Sequence, residues 1–375
     1  MIFTTTKDSL VDVMGVVGRG MSTSRALIPS AQGVLVEANG DKLILSANNL
    51  EMGIRGVVED VEVYEEGSYV LPDRFLVALK KLPDQRVEVR DVTVDGGIKI
   101  EMSSGKSKYT FYPMPAEEFP ALYQEGVIRN GNKVTFSSRD IKEMVSMVSF
   151  AVSKDENRPV FTGVVLTVEE SGNLYCIASD TYRISRYRKT VEGISPFKAL
   201  IPGKNLVELA KVLDDNDVPV ECYFEHQQAV FMFGDRYLFS SRLIEGNFPE
   251  VNSVYPAAYA SKVKVDRQLL ESLLERAIVM AVAGKPKAHI NVSGGALEIV
   301  VQEDTGAFCE SIEAEHVGED VNNAIFNIRY IAEPLKVIRA REVEMEFNRA
   351  MGPCVIRWHE EGFEFSYLAL PIKTA

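Results

Sequence analysis

A short polar turn near the middle of the chain carries the residue types that could do chemistry. An apolar stretch at 174–178 leads into Ser179, Asp180 and Thr181, and Arg183 follows two residues later. A carboxylate close to a guanidinium is one arrangement from which acid–base chemistry can be built. The same residues also suit a β-hairpin in which Asp180 caps the turn and Arg183 lies in solvent, because short polar side chains hydrogen-bond their own backbone in turns.

The rest of the sequence offers little to complete a catalytic site around Asp180. Glu51 follows Asn48 and Asn49 at a matching turn of an earlier segment and is the next acid to consider. The sequence contains no glycine-rich phosphate loop, no metal-ligand spacing and no nucleophile with a histidine near it in sequence. We therefore predict no catalytic residues, no metal site and no cofactor, with an enzyme kept only as a rival hypothesis.

The cysteines and histidines are scattered singly through the chain. They are Cys176, Cys222, Cys309 and Cys354, and His226, His289, His316 and His359. Neither set has the spacing of a zinc site or of a disulfide framework. The cysteines lie mostly within apolar stretches, so we expect reduced core residues of a cytosolic protein.

The bulk composition is that of a globular chain of several domains. The 375 residues are 46% hydrophobic and 25% charged, and the formal net charge is −13. The first residues lack the pattern of a secretory signal, and the longest apolar run, 277–283, is too short to span a bilayer. The net charge taken alone argues against a nucleic-acid partner.

The same order of elements occurs three times along the chain. Helical patterns at 8–20, 138–152 and 266–283 are each followed by a loop and then by two alternating strands around a glycine turn. The turn glycines Gly40, Gly172 and Gly295 are 132 and 123 residues apart. The sequence therefore predicts three tandem repeats, with boundaries at 1–122, 123–252 and 253–375.

Each predicted repeat has a second half of similar design. A strand end, a turn and a short helix recur at 70–82, 200–213 and 325–338. Pro72 and Pro202 lie at the helix start, where a missing N–H costs little, whereas Pro334 should kink the third helix or mark its restart. The pattern predicts an α+β fold in which each repeat packs two helices on antiparallel sheets.

Charge is distributed unevenly between these elements. The six helical segments with their loops, 7–25, 72–82, 137–158, 202–213, 266–287 and 328–341, contain 20 basic and 12 acidic residues, a net charge of +8. The other 275 residues contain 21 basic and 42 acidic residues, a net charge of −21. Exposed helix faces are often basic, but helices gathered on one side would also attract a phosphate backbone to that side only.

Short motifs in a fixed order give the sequence a family resemblance. They are Leu-Glu-Met at 50–52, Glu-Glu-Phe-Pro at 117–120, Ala-Ser-Asp-Thr-Tyr-Arg at 178–183, Glu-Gly-Asn-Phe-Pro at 245–249 and Leu-Pro-Ile-Lys at 370–373. In this order, over three repeats and nearly the whole chain, they resemble the bacterial sliding clamps, the beta subunits of DNA polymerase III.

The resemblance implies a head-to-tail homodimeric ring with its helices lining a central hole. Twelve helices about 10 Å apart give a circle with a circumference of roughly 120 Å. The hole inside it is about 28 Å across. A duplex fits such a hole with a layer of water, so binding should be independent of sequence, sensitive to salt and able to slide. The implied function is to encircle duplex DNA and tether the replicative polymerase and other DNA-processing proteins, without catalysis, in the cytoplasm.

The resemblance also identifies candidate DNA-facing residues. Arg25 and Arg158 match the family's DNA-contacting loops, and Lys285 and Lys287 share that position in the third repeat. Candidates from helix placement are Lys80, Lys81, Lys204, Lys211, Lys336 and Arg339.

A peptide-binding cleft between the second and third repeats is implied as well, taking short extended peptides of polymerases, the clamp loader and repair proteins. Its matching residues are Phe161, Ser179, Thr181, Tyr182, Arg183, Ile184, Pro249, Val254, Leu368, Leu370, Pro371 and Ile372. Apolar side chains would form the floor, while Arg183 and backbone groups would orient the peptide. Thr181 replaces a usual small residue and Ile372 stands where Met is common, which affects the peptide preference.

The implied dimer interface joins the first repeat of one copy to the third repeat of the other. Tyr109 and Phe111 match the family's apolar strand, and Val279 and Met280 match the facing helix. All four are also plausible core residues. The alternative to a clamp is a repeat scaffold that binds proteins only and does not encircle DNA.

Overall fold

Antiparallel strands are the main secondary structure of the chain in the computed structural model. The structure describes residues 1–22, 28–94, 96–122, 128, 132–225, 227–282, 284, 286–360 and 362–373. The contacts divide the chain into two compact units. Unit 1 consists of 1–142 and 208–243, and unit 2 of 143–207 and 244–375.

Six helices occur in the described residues. They are α1 (Lys7–Val17), α2 (Asp73–Lys80), α3 (Ser138–Val148), α4 (Gly203–Val212), α5 (Arg267–Met280) and α6 (Ile328–Leu335).

The strands of the first half of the chain are β1 (Ile2–Thr6), β2 (Gly33–Asn39), β3 (Lys42–Asn48), β4 (Met52–Val58), β5 (Val61–Glu65), β6 (Gly67–Pro72), β7 (Arg86–Val94), β8 (Gly97–Ser104), β9 (Ser107–Phe111), β10 (Met114–Pro115), β11 (Asn132–Ser137), β12 (Gly163–Val168), β13 (Asn173–Ser179) and β14 (Arg183–Thr190). Those of the second half are β15 (Phe197–Pro202), β16 (Pro219–Glu225), β17 (Gln228–Phe233), β18 (Tyr237–Arg242), β19 (Ser261–Asp266), β20 (Lys287–Ser293), β21 (Ala296–Glu303), β22 (Gly306–Glu313), β23 (Glu315–Gly318), β24 (Val321–Asn327), β25 (Glu342–Phe347), β26 (Cys354–Glu360) and β27 (Phe363–Ala369).

Unit 1 contains a five-stranded sheet, β5-β1-β7-β8-β9, and a nine-stranded sheet, β10-β6-β2-β3-β4-β18-β17-β16-β11. Unit 2 contains a nine-stranded sheet, β15-β12-β13-β14-β27-β26-β25-β19-β23, and a four-stranded sheet, β22-β21-β20-β24. Strands from different predicted repeats pair within both large sheets, β4 with β18 and β14 with β27. The two units therefore cut across the second predicted repeat.

The leading helices begin where polar residues end a strand. Thr6 accepts a hydrogen bond from the Ser9 N–H, and Asp266 accepts from the N–H groups of Gln268 and Leu269. The Asp140 N–H at the start of α3 donates to the Ser137 hydroxyl at 3.1 Å. Such caps satisfy N–H groups that have no partner inside the helix.

The glycine-turn hairpins are confirmed in all three places. β2 pairs with β3, β12 with β13, and β20 with β21, each in antiparallel register. The predicted order of helix, strands, helix, strands is incomplete, because β1, β11 and β19 precede the leading helices. Lys287 was expected in a loop but is the first residue of β20. Pro334 lies inside α6, which ends one residue later.

The core of each unit is formed by the inward faces of the sheets and helices. Cys176, Cys222 and Cys354 belong to it and are free thiols, as expected. The prediction for Cys309 is wrong: its side chain is exposed on β22, where alternate residues face outward. No helix in the described ranges is long and apolar enough to cross a membrane.

Candidate functional site: the turn between β13 and β14

The turn between β13 and β14 is built by two side chains that bind its own backbone. Asp180 Oδ1 accepts hydrogen bonds from the N–H groups of Tyr182 (3.0 Å) and Arg183 (3.1 Å). The Ser179 hydroxyl accepts from the Thr181 N–H (3.1 Å) and donates to the Arg183 carbonyl (2.7 Å). The prediction that Asp180 caps the turn is therefore confirmed.

Arg183 is buried, with 7% of its surface exposed, so it is not the solvated residue of a simple hairpin. Its Nε donates to Asp180 Oδ2 at 2.9 Å, and one terminal nitrogen pairs with Glu333 of α6. The other terminal nitrogen donates to the Phe150 carbonyl at 2.7 Å. The guanidinium also lies 4.4 Å from the centre of the Tyr330 ring. The turn of the second predicted repeat is thus tied to a helix of the third.

The electrostatics of this network keep Arg183 charged. Burial opposes the charged form, but Tyr367 and Glu333 outweigh it, and the pKa of Arg183 is raised. Both carboxylate oxygens of Asp180 bind donors of its own turn. These contacts hold the turn in place. Asp180 therefore has no free carboxylate oxygen for the acid–base chemistry of the rival enzyme hypothesis.

An apolar floor lies directly beside the turn. Ile184 of β14 and Leu368 of β27 are paired neighbours, and both are buried. Phe161 packs against the same cluster, and its ring centre is 5.9 Å from that of Phe248. The cluster is completed by Val165, Leu200, Val251 and Val355. Three residues that the sequence placed in a cleft are thus brought together.

The rim around this floor is only partly buried. Tyr182 is 58% exposed, Val254 42% and Leu370 37%. The Leu370 N–H donates to the Tyr182 carbonyl at 2.9 Å, and the Ile372 N–H donates to the Ile325 carbonyl at 2.7 Å. Pro371 lies between these two anchored residues, and Pro249 is exposed next to buried Phe248. The rim combines exposed apolar side chains with a fixed backbone.

Sequence reasoning missed several residues of this site. Phe248 and Val251 are not among the residues predicted for the cleft, although both are buried in the cluster. Glu333 was counted only as a helix charge. Phe248 and Val251 are apolar residues near Pro249, and this pattern could have indicated that they are buried. The pairing of Arg183 with Glu333, 150 positions away, has no signal in the sequence.

The turn between β3 and β4 has the same construction. Asn48 Oδ1 accepts from the Leu50 N–H (2.8 Å), and Asn49 Oδ1 accepts from Glu51 (3.0 Å) and Met52 (2.9 Å). Leu50 has a φ of 76°, and Thr181 at the matching place has a φ of 77°. Met52 takes the position of Arg183, so the first turn has no cation there.

Comparisons with known proteins agree along the whole chain. Models of the DNA polymerase III beta subunit match residues 1–123 as its N-terminal domain, 135–250 as its central domain and 252–373 as its C-terminal domain. The chain belongs to the DNA polymerase III beta subunit family. The beta sliding clamp of Bacillus subtilis (strain 168) is 30% identical over 393 residues, and that of Staphylococcus aureus (strain Mu50) is 29% identical over 385 residues, with 100% of each chain covered.

Solved structures of the beta subunit family have the same fold. The crystal structure of the DNA polymerase sliding clamp from Bacillus subtilis superimposes with a TM-score of 0.91, at 29% identity and 100% coverage of both chains. The DNA polymerase III beta subunit from Thermotoga maritima gives 0.89 at 25% identity, again with full coverage.

The basic residues expected to face DNA in a beta subunit are exposed wherever the structure describes them. Arg25 and Lys285 lie outside the described residues. The exposed ones are Lys80, Lys81, Arg158, Lys204, Lys211, Lys287, Lys336 and Arg339. Lys211 pairs with Glu208 (2.6 Å), and exposed pairs of this kind exchange readily for other partners.

Arg158 has a second neighbour of interest. It pairs with Asp155 (3.0 Å), and hydrogen bonding to Arg158 lowers the pKa of that carboxyl. Its guanidinium also lies 5.9 Å from the centre of the Phe161 ring. A residue expected to face DNA therefore touches one expected to line the peptide cleft of the beta subunit.

The residues expected at the dimer interface of a beta subunit are not core residues. Val279 is 81% exposed and Tyr109 38%, while Phe111 and Met280 are half-buried. β9, which carries Tyr109 and Phe111, is an edge strand of the five-stranded sheet. In unit 2, β22 is an edge strand of the four-stranded sheet.

Proposed function

We propose that two copies of this chain form a head-to-tail ring that encircles duplex DNA and tethers the replicative polymerase to it. The observation that carries this proposal is the match of three successive clamp domain models, in order, along one chain. The protein acts without catalysis of its own and without a cofactor, in the cytoplasm. Its three repeats are 1–122, 123–252 and 253–375.

Charge supports the placement of DNA in the hole. The helical segments and their loops carry a net charge of +8, and the rest of the chain carries −21. Helices lining the hole would attract phosphates, while an acidic exterior would repel them. The residues proposed to face DNA are Arg25, Lys80, Lys81, Arg158, Lys204, Lys211, Lys285, Lys287, Lys336 and Arg339.

The two edge strands support the mode of ring closure. An edge strand presents unpaired backbone groups, and β9 and β22 each present one such edge. In the proposed dimer, β9 of one copy meets β22 of the other, with Tyr109, Phe111, Val279 and Met280 in the joint. The exposure of Val279 agrees with this role, because an apolar side chain left 81% exposed gains by being covered.

The apolar floor and anchored rim support the peptide cleft. Ile184, Leu368 and Phe161 form a surface for apolar side chains, and Tyr182 and Leu370 add exposed apolar side chains at its rim. The proposed occupants are short segments of the polymerase, the clamp loader and repair proteins.

Retention on circular DNA tests the ring. The protein is loaded by the clamp loader of its own organism onto nicked circular DNA, and the complex is washed in high salt. A topological link predicts that the protein stays on the circle and leaves once the DNA is cut to a linear form. Equal loss from circular and linear DNA would show a scaffold that does not encircle DNA.

A further inference from the structure

The sheet face that carries the apolar floor changes from apolar to polar within two residues. On three neighbouring strands, β14, β27 and β26, the paired residues of the apolar row are Ile184, Leu368 and Val355. Two residues along the same strands, the paired residues of a polar row are Arg186, Ser366 and Arg357. Alternate residues of a strand point to the same face, so the two rows lie side by side.

The segment that joins the second and third repeats crosses this polar row at Tyr255. The Arg186 guanidinium lies 4.6 Å from the centre of the Tyr255 ring. Arg186 Nε donates to the Ser366 hydroxyl at 3.0 Å, and the Tyr255 hydroxyl donates to the Ser366 carbonyl at 3.5 Å. Since a guanidinium is attracted to the face of an aromatic ring, Tyr255 is held on the strand that carries the floor residue Ile184.

A second arginine holds the same segment four residues further on. The Tyr259 hydroxyl accepts a hydrogen bond from a terminal nitrogen of Arg357 at 3.0 Å. Arg357 Nε pairs with buried Glu346 at 2.7 Å, and Lys262 pairs with the same carboxylate at 2.8 Å. The segment is therefore fastened at two places, and only the first of them adjoins the rim of the cleft.

Val254 lies directly before Tyr255 and is the part of this segment that faces the rim. Its side chain is 42% exposed. Its backbone N–H donates to the carbonyl of Val251 at 3.1 Å, and Val251 is buried in the floor cluster. Val254 thus lies between a residue packed on the apolar row and a residue held on the polar row.

We propose that Arg186 and Tyr255 are positioning residues, which hold Val254 in place as a preformed wall of the peptide cleft. The inference rests on the proposed peptide-binding function and needs no contact between Arg186 and the peptide. The ligand is an extended peptide that presents an apolar side chain to Val254. If the wall were loose, only a fraction of the molecules would hold it in the binding position, and the apparent Kd would rise by the inverse of that fraction.

Hydrogen exchange tests the positioning in the full-length protein without any peptide. Arg186→Gln should increase the exchange rate of the Val254 amide about fivefold, because the cation that holds Tyr255 is lost. Arg357→Gln is the matched control, in which Glu346 keeps its pairing with Lys262. It should increase exchange around Tyr259 and leave Val254 unchanged. An unchanged Val254 amide in Arg186→Gln would overturn the proposal.

Peptide affinity tests whether the positioning acts through Val254. Arg186→Gln should weaken the binding of a labelled polymerase tail peptide about fivefold, whereas Tyr255→Phe, which keeps the ring, should bind as the unchanged chain does. In a Val254→Ala background, Arg186→Gln should have less than about a twofold effect, because the side chain that it positions is gone. Equal weakening in both backgrounds would show that Arg186 acts on the peptide directly and would refute the positioning role. A failure of the unchanged chain to bind the peptide would contradict the proposed cleft, and hydrogen exchange would still decide the role of Arg186.

Discussion

The backbone N–H of Leu370 donates a hydrogen bond to the carbonyl oxygen of Tyr182, at 2.9 Å. This bond continues the pairing of β27 with β14 by one residue beyond the last strand. Two residues later, the Ile372 N–H binds the Ile325 carbonyl at the end of β24. The segment after β27 is therefore held at both ends of the rim that surrounds Ile184 and Leu368.

Deleting residues 370–375 should abolish the binding of a polymerase tail peptide and leave the proposed dimer intact. The deletion removes the rim at Leu370 and Ile372 but keeps the buried pair of Ile184 and Leu368. Fluorescence anisotropy with a labelled tail peptide measures the affinity, and light scattering measures the mass.

A shorter deletion, of residues 373–375, is the matched control because it retains both anchored residues. It should bind the peptide as the full-length chain does. An undiminished peptide affinity in the longer deletion would show that the C-terminal segment is not part of the cleft.

Replacing Arg183 by Ala should lower the free energy of unfolding by about 3 kcal/mol, because Asp180 and Glu333 lose their shared cation in a buried setting. Arg188 of the same strand pairs with Glu364 on the surface, and Arg188→Ala is the matched control. Its cost should stay below about 1 kcal/mol. Urea unfolding followed by circular dichroism gives both values, and equal costs would contradict the buried network.

Local signals account for what the sequence predicted correctly. The hairpins around Gly40, Gly172 and Gly295 follow from turn chemistry within a few residues, and the helices follow from apolar spacing. The cap at Asp180 is local in the same sense. Such features need no knowledge of the rest of the fold.

Long-range pairing accounts for most of what the sequence did not predict. The partner of Arg183 lies 150 residues away, and β4 pairs with a strand from the next predicted repeat. Cys309 lies within a strand whose alternation places it outward, although the sequence predicted a core residue. Only the register of β22 on β21 decides which face is buried.

Thr181 is held in a backbone conformation that suits its residue type poorly. Its φ of 77° lies in the left-handed region, where a β-branched residue costs about 1–2 kcal/mol. Thr181→Asn should therefore raise the free energy of unfolding by about 0.5–1 kcal/mol, since asparagine tolerates this region. Thermal unfolding checks the direction. Thr162→Asn is a control at a threonine with no positive φ, and an equal gain there would refute the role of strain.

Val279→Glu should convert the proposed dimer into folded monomers, because this side chain is 81% exposed and contributes little to the core of its own unit. Light scattering measures the mass, and circular dichroism checks that the monomers are folded. Met351→Glu is the matched control, since Met351 is also exposed, at 60%, and belongs to no proposed interface. A dimer that persists in Val279→Glu would show that the interface lies elsewhere on the chain.

Cys309 should be the one thiol of the four that reacts with maleimide in the folded protein. Burial raises the pKa of the Cys176 thiol to about 12, and it raises the pKa of Cys222 and Cys354 as well, whereas Cys309 is exposed. Mass spectrometry should find one adduct per folded chain and four after denaturation. Two or more adducts forming at one rate in the folded protein would contradict the burial of the other three.

The rate of that reaction should depend on Glu298. The Cys309 thiol donates to Glu298 Oε1 at 3.4 Å, and this hydrogen bond raises the pKa of the thiol above its usual value. The carboxylate stabilises the protonated form, so Glu298→Gln should lower the pKa and increase the thiolate fraction at pH 8. We therefore expect faster labelling of Glu298→Gln at pH 8. The control is Glu313→Gln, which lies on the same strand as Cys309. Slower or unchanged labelling would show that Glu298 does not hold the thiol proton.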